Sequence, residues 1–331
     1  MMKPPTLLVL SVIAPLIALG GISRVTGQTQ TQGENAERQA TANYSSLEQR
    51  IAQDIAWIRD AEKRGLEPLK LGRLWAHLAS DYLDAMDFAK SEAAYNHALR
   101  LMEPLPEAQE DYATTLANLG SLYLISGRFN ESERCRKRAL AVREATGNEL
   151  EIARGKAHLA KVHLAQLKYK EAHREALEGY TEMIALKDPN KSGVFSALVT
   201  LIYAECSRGE CAAAALEHAR KALSLARSTF AADSVEVGHA HLALGFAEWK
   251  TGMKDGPDEE MRASIEIMKA RSSSRNPYAL SGALKQYRNY LVSVHRKQEA
   301  REIAEELAQF EAAQPKACSS CTVSVSGLQE K

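Results

Sequence analysis

The stretch LANLGSLYLISGRFNESERCRKRAL, residues 116–140, decides the fold of this chain. It reads as two helices separated by a turn at Gly127, because apolar residues recur every three or four positions on either side of that glycine. Gly120 and Ala139 are small enough to let the two helices approach closely, while Tyr123 fills the space beside them. Gly127 supplies the backbone conformation that ends the first helix. The stretch therefore predicts an antiparallel helix pair.

The same pattern recurs along the chain at a nearly constant period. It occupies residues 75–99 upstream and returns in residues 156–180 downstream. The residues that close successive patterns are Ala98, Ala139, Gly179, Ala222, Ser264 and Leu307, which stand 41, 40, 43, 42 and 43 positions apart. No alternation typical of strands competes with this pattern. Spacing this regular predicts an array of about six helix pairs.

These residues resemble the signature of the tetratricopeptide repeat, in which Trp, Leu-Gly, Tyr, Ala, Phe and Ala stand at the same relative offsets. Ordinary repeats of that family run about 34 residues, so the longer steps here resemble the variety found in kinesin light chains. Two departures are His163 in the place of a Tyr and Pro257 at the start of a second helix. The resemblance implies an all-α fold, a right-handed superhelical solenoid of about six antiparallel helix pairs.

The two ends of the chain predict segments outside the repeats. One Lys precedes an apolar run of 15 residues over 6–20, which is shorter than the roughly 20 residues of a membrane-spanning helix and is typical of a signal peptide. We predict a signal peptide over 1–27, a polar linker over 28–43, a capping helix over 44–65, the repeat array over 71–313 and a flexible C-terminal tail over 314–331.

A signal peptide places the body of the protein outside the cytoplasm. The sequence therefore predicts an exported protein, periplasmic or secreted, and the sequons at Asn43, Asn130 and Asn190 leave a eukaryotic secretory route open as well. Retention of the N-terminal apolar segment would instead anchor the protein in a membrane. The sequence predicts no membrane contact apart from that anchor.

Charge and motif content point away from several function classes. Lys plus Arg and Asp plus Glu both number 42, so no net field draws the chain to nucleic acid, and we predict no nucleic-acid partner. His239 and His241 do not share a metal on a helix, because residues two apart face away from each other. The sequence has neither an HExxH motif nor a glycine-rich phosphate loop. We therefore predict no enzyme activity, no cofactor and no metal site, and make no prediction of the oligomeric state.

Five cysteines are present, and an oxidising compartment favours their pairing. Cys206 and Cys211 flank a turn between two helices and are disulfide candidates, as are Cys318 and Cys321 in the tail. Cys135 lies beside core positions, where an inert thiol is usual. The tail motif supports an alternative function, a thiol-redox or metal-carrying accessory protein, although it lacks the strand and helix that surround a thioredoxin motif.

The repeat array predicts a non-catalytic scaffold that binds a protein or peptide partner in a concave groove, lined by the first helix of each pair. By the offsets of the tetratricopeptide family, the groove-facing positions are Ser80, Asp84, Asn118, Ser121, Ile125, Lys161, Leu164, Ala165, Phe246, Trp249 and Lys250. Trp249 has two interpretations, a binding anchor or a packing residue between repeats.

Overall fold

The structure is a computed structural model that describes residues 47–207, 211, 213–270 and 277–312 of the 331-residue chain. Within these ranges the chain forms thirteen α-helices and no β-strand. The helices are α1 (Leu47–Lys63), α2 (Pro68–Asp84), α3 (Phe88–Met102), α4 (Gln109–Ile125), α5 (Phe129–Thr146), α6 (Glu149–Ala165), α7 (Tyr169–Ala185), α8 (Lys191–Cys206), α9 (Ala213–Thr229), α10 (Val235–Lys250), α11 (Pro257–Ala270), α12 (Pro277–Ser293) and α13 (Lys297–Ala312). A turn of 3-10 helix, Pro106–Ala108, precedes α4. The prediction of an all-α fold is confirmed.

The helices fall into two compact units, which we call the N-terminal unit (α1 to α5) and the C-terminal unit (α6 to α13). In the N-terminal unit, α2 packs on α3 and α4 packs on α5. In the C-terminal unit the pairs are α6 with α7, α8 with α9, α10 with α11 and α12 with α13. The described residues thus contain six helix pairs, the number that the sequence period predicts.

Helix α1 stands before the first pair and packs on α2. Its Ile58 and Ala61 side chains are buried, as the capping helix of a repeat array requires. A lone helix in this position covers apolar surface of the first pair that would otherwise face water. The predicted capping helix is therefore present, from Leu47 to Lys63.

Small residues allow the two helices of a pair to come close. A Cβ atom added to Gly179 in α7 would lie 2.7 Å from the carbonyl oxygen of Ala153 in α6, so a larger residue there requires the backbone of one helix to move. In an earlier pair, the Ser132 hydroxyl of α5 donates a 2.6 Å hydrogen bond to the carbonyl of Gly120 in α4. Both contacts depend on a short distance between the two helix backbones.

The turn inside a pair has one backbone conformation in all five pairs whose turns are described. Its positive-φ residue is Met86 (59°), Gly127 (77°), Leu167 (61°), Gly252 (80°) or His295 (62°). In each turn the following amide donates to a carbonyl five residues back, as Arg128 N does to Tyr123 O at 2.8 Å, which is the Schellman arrangement. Three turns adopt this conformation without glycine, at a cost of about 1–2 kcal/mol each.

Several predictions from the sequence concern residues outside the described ranges. These are the signal peptide, the polar linker, the first residues of the predicted capping helix and the tail with Cys318 and Cys321. Among the helices that the structure does describe, none is both long and apolar enough to cross a membrane.

Candidate binding surface

In the N-terminal unit, three of the candidate groove positions are buried in packing. The hydroxyls of Ser80 and Tyr95 lie 2.9 Å apart and share a hydrogen bond. The Ser121 hydroxyl accepts a 3.0 Å hydrogen bond from the guanidinium of Arg136, and Asn118 is 3% exposed. These three side chains therefore offer little surface to a partner. Asp84 and Ile125 on the same two helices stay partly exposed.

In the C-terminal unit, four further candidates are also buried. The Lys161 side chain is 1% exposed, and its ammonium donates a 3.0 Å hydrogen bond to the Ser196 hydroxyl. Leu164 and Ala165 are buried, and the Phe246 ring packs against Tyr203 at a centroid distance of 5.0 Å. These side chains hold the first helices of neighbouring pairs together.

Trp249 and Lys250 are the candidates in the C-terminal unit that keep part of their surface in solvent. The Trp249 ring meets the rings of Phe246 and Tyr290 edge-on, each at a centroid distance of 6.0 Å. The Lys250 ammonium lies 4.1 Å from the centre of the Trp249 ring, and burial lowers the pKa of Lys250. Trp249 is thus a packing residue on one side and accessible on the other.

Exposed apolar side chains lie at the same helix ends. Met253 follows α10 and is 38% exposed, while Val292 in the last turn of α12 is 56% exposed. We call this set the aromatic edge, and it comprises Trp249, Lys250, Met253 and Val292, together with the buried ring of Tyr290 on which Trp249 packs. The ends of α10 and α12 meet through the ring contact of Trp249 with Tyr290, and exposed apolar groups that share one patch mark binding surfaces more often than scattered ones do. The sequence did not single out Met253, Tyr290 or Val292, although their apolar character beside a turn is visible there.

A hydrogen bond crosses the first helices of the C-terminal unit. The Tyr203 hydroxyl in α8 donates to the Gln286 side-chain oxygen in α12 at 3.2 Å, across 83 residues of sequence. Both residues are at most 1% exposed. The bond joins the first helices of two pairs that are not consecutive. The aromatic edge remains accessible.

Three potential metal ligands lie together where α1 meets α2. The ligand atoms of Asp54, His77 and Asp81 are all within 4.8 Å of one another. The Arg50 guanidinium contacts both oxygens of Asp81, at 2.9 and 3.2 Å, and His77 Nδ1 lies 2.6 Å from Asp54. Burial raises the pKa of Asp54, an effect that the hydrogen bond to His77 opposes. Arg50 and His77 explain the cluster as a tie between the capping helix and α2, and the absence of a metal site stays a prediction.

The structure joins Cys206 and Cys211 by a disulfide with Cα atoms 4.2 Å apart. This is one of the two pairings that the sequence proposes. Cys135 is a free, half-buried thiol, and burial raises its pKa to about 11. A thiol with so high a pKa has little thiolate at neutral pH and reacts slowly, which agrees with the inert role predicted for it.

Comparisons with known proteins agree with this architecture. Residues 71–145 match the family model of the tetratricopeptide repeat. The chain is similar to the apo form of RapI, with a TM-score of 0.68 and 14% identity over 79% of this chain and 92% of that one. It is also similar to the Rap conjugation gene regulator of plasmid pLS20 in complex with the Phr* peptide (TM-score 0.56, 12% identity, 96% of this chain and 93% of that one).

A third similar structure is a variant of the nearly identical TPR-like repeats of kinesin light chain type from Podosopora anserina, with a TM-score of 0.50 and 15% identity over 63% of this chain and 99% of that one. No curated protein matches the sequence. The family match over residues 71–145 and the shared fold confirm the resemblance to tetratricopeptide repeats, including the kinesin light chain variety. Identities this low establish the fold alone.

Proposed function

We propose that this chain is an exported, non-catalytic scaffold that binds a peptide segment of a partner protein at the aromatic edge of its C-terminal unit. The observation that carries the proposal is the partly exposed Trp249, with a cation on its ring and the exposed side chains of Met253 and Val292 beside the same helix ends. Hot spots of protein interfaces are rich in Trp and Tyr. Among the predicted groove positions of the C-terminal unit, Trp249 and Lys250 are the ones that keep part of their surface in solvent.

The edge favours a partner segment of defined chemistry. Trp249, Met253 and Val292 offer apolar surface for an apolar side chain of the partner. The Lys250 ammonium can donate hydrogen bonds to a backbone carbonyl or a carboxylate next to that side chain. Because Trp249 already packs on Phe246 and Tyr290, binding costs it little side-chain freedom.

The fold supports a binding role. Arrays of stacked helix pairs create extended concave surfaces that are used to bind partners. The pLS20 regulator, which shares this fold, is in complex with a peptide. A peptide partner is therefore the class of ligand that we propose for this chain.

The disulfide supports a location outside the cytoplasm. Disulfides persist in oxidising compartments and are rare in the cytosol, and Cys206–Cys211 is formed in the structure. Together with the signal-peptide pattern of residues 1–27, this favours a periplasmic or secreted protein. Fractionation of cells expressing the full chain, with thiol alkylation of each fraction, tests the location. A reduced protein that is confined to the cytoplasm contradicts it.

The binding proposal is tested by affinity capture from the envelope and secreted fractions with the full chain. Three proteins are compared, the natural sequence, Trp249→Ala and the matched control Trp57→Ala in α1, which removes a half-buried tryptophan from the N-terminal unit. We expect the natural sequence and Trp57→Ala to retain the same partner protein. Trp249→Ala is expected to retain at least about tenfold less of it, because the substitution removes an interface hot spot. Equal retention by all three proteins rules out the aromatic edge.

A second variant separates this proposal from the redox alternative. Replacing Cys318 and Cys321 by Ser leaves the aromatic edge unchanged, so binding of the captured partner is expected to persist. Loss of the partner in this variant assigns the function to the tail cysteines instead.

A further inference from the structure

A second surface lies on the outer helix α9, away from the aromatic edge in sequence. A cleft of about 440 Å³ is lined by Arg220, Leu223, Ser224, Arg227 and Ser228 of α9 and by Leu244 of α10. The polar members follow one another at intervals of four, three and one residues, which places them along one face of the helix. The cleft therefore has an apolar floor and a rim of two guanidinium groups with hydroxyls between them.

The two rim arginines lack the carboxylate partners that several arginines of other outer helices have. Within the described part of the chain, neither Arg220 nor Arg227 forms an ion pair with a carboxylate. An acidic neighbour of Arg220 is Glu248, where burial raises the carboxyl pKa and the charge of Arg220 opposes that rise. By contrast, Arg138 of α5 pairs with Glu103 at 2.5 Å, and Arg262 of α11 pairs with Glu299 at 2.9 Å. Arg220 and Arg227 are exposed and keep most of their donors for a ligand.

Neighbouring groups leave the guanidinium of Arg227 directed to the cleft. Its closest polar contact is the Nε2 atom of His241 at 3.5 Å. The other ring nitrogen of His241 is 2.6 Å from Glu260, so Glu260 is engaged by the histidine rather than by the arginine. A guanidinium in this setting binds a carboxylate in a planar, two-point fashion.

The spacing of the rim defines the shape of the ligand. Arg220 and Arg227 are seven residues apart on α9, which corresponds to about 10.5 Å along a helix. Two carboxylates on a partner helix are the same distance apart when they also stand seven residues apart. An apolar residue four positions after the first carboxylate then falls on the same face of that helix, opposite Leu223 and Leu244.

We propose that the α9 cleft docks an acidic amphipathic helix of a partner protein, whose carboxylates at positions i and i+7 meet Arg227 and Arg220 and whose apolar residue at i+4 meets the leucine floor. The lining of this cleft shares no residue with the aromatic edge. A partner that has both elements binds the chain at two points, which raises its affinity through the effective concentration of the second contact.

The test uses a labelled helical peptide of about 18 residues, five turns of helix, with Glu at i and i+7 and Leu at i+4, titrated into the full chain at low salt. A first control peptide carries Gln in place of both Glu residues. A second carries its Glu residues five positions apart, which turns them to different faces of the helix. We expect binding of the first peptide alone, with an affinity that falls as salt screens the charges.

Protein variants locate the site. The double variant Arg220→Gln, Arg227→Gln is expected to bind the peptide at least about tenfold more weakly, since it removes two charge-assisted contacts. The matched control Arg134→Gln, Arg301→Gln removes the same charge from exposed positions of α5 and α13 and is expected to bind as the natural sequence does. Circular dichroism checks that both variants are folded, which surface substitutions preserve.

Several outcomes overturn the proposal. One is absence of binding by the natural sequence, and another is equal weakening in both double variants, which indicates general charge attraction. Equal binding of the peptide with Glu five positions apart also overturns it. Trp249→Ala is expected to bind this peptide normally, so failure of the aromatic edge as a site and failure of the α9 cleft are distinguishable.

Discussion

The N-terminal and C-terminal units share one helix-pair geometry but differ in the side chains that use it. The N-terminal unit contains the tetratricopeptide family match over residues 71–145. The C-terminal unit keeps the same left-handed turns at Leu167, Gly252 and His295. It also has a disulfide, a buried histidine and the two proposed binding surfaces. Pair geometry thus depends on backbone turns and close helix contacts, which leaves other positions open to change.

The largest difference between the units is expected from two matched glycine substitutions. Gly179→Ala in the C-terminal unit places a Cβ atom 2.7 Å from the Ala153 carbonyl, and overpacking against backbone costs about 2–3 kcal/mol. Gly120→Ala in the N-terminal unit meets the Cγ atom of Arg136 at 3.0 Å. A side chain rather than backbone has to shift there, so we expect a smaller loss of about 1 kcal/mol.

Urea unfolding measures both losses, and hydrogen exchange of segments locates them. Faster exchange is expected in α6 and α7 of the first variant while the exchange of α2 to α5 stays unchanged. Similar exchange changes in both units would show that they unfold as one block, and the comparison between them would then fail.

Acid is expected to destabilise the C-terminal unit more than the N-terminal unit. This difference is smaller than the one expected from the glycine substitutions. Burial, with the nearby charge of Lys161, lowers the pKa of His239 to about 3, below the unfolded value of about 6.5. The stability contributed by neutral His239 is present above about pH 6.5 and is lost as the pH falls below it, by about 2 kcal/mol at about pH 5. The two histidines of the N-terminal unit, His77 and His97, are only partly buried.

The measurement compares the free energy of unfolding at about pH 7.5 and about pH 5, on either side of the unfolded histidine pKa, in the natural sequence and in His239→Leu. The variant is expected to lose most of this pH dependence in the C-terminal unit. If the difference in free energy of unfolding between the two pH values is the same in both proteins, His239 is not the group that causes the pH dependence.

The smallest effect concerns the left-handed turn that occurs in both units. It tests whether glycine is the more stable residue at this turn position in each unit. His295 has an exposed side chain and a left-handed backbone conformation. His295→Gly removes the steric cost of that conformation, so we expect the free energy of unfolding to rise by up to about 1 kcal/mol. Gly127→Ala does the reverse in the N-terminal unit, where a Cβ atom meets nothing within 4 Å, so a loss of about 1 kcal/mol reflects the backbone alone. Thermal unfolding measures the stability change of both variants. A loss of stability in His295→Gly would contradict the expectation that glycine is favoured at this turn position.

The fold follows from the sequence because its main determinants are local and periodic. The spacing of closing residues from Ala98 to Leu307 gives the six pairs, and Gly127 gives the form of the turn. Met86, Leu167 and His295 take the same left-handed conformation, which their residue types do not predict. Their position is nevertheless fixed by the period, since 86, 127 and 167 differ by 41 and 40.

The binding surface follows from the sequence only in part. Family offsets place Trp249 and Lys250 on the first helix of a pair, where the structure has them, but these offsets do not indicate which first-helix positions are buried. The burial of Lys161 and Phe246 depends on contacts with Ser196 and Tyr203 in another pair. Contacts of that kind join distant residues and have no periodic pattern in the chain.

The hydrogen bond between Tyr203 and Gln286 has a consequence for folding cooperativity. In an ideal repeat array each pair contacts only its neighbours, and stability is a sum of nearest-neighbour contributions. Here the first helix of the fourth pair bonds to that of the sixth, so removal of α12 and α13 leaves the buried Tyr203 hydroxyl without its partner, two pairs away. The C-terminal unit is therefore expected to tolerate truncation from its end poorly and to unfold as a block rather than one pair at a time.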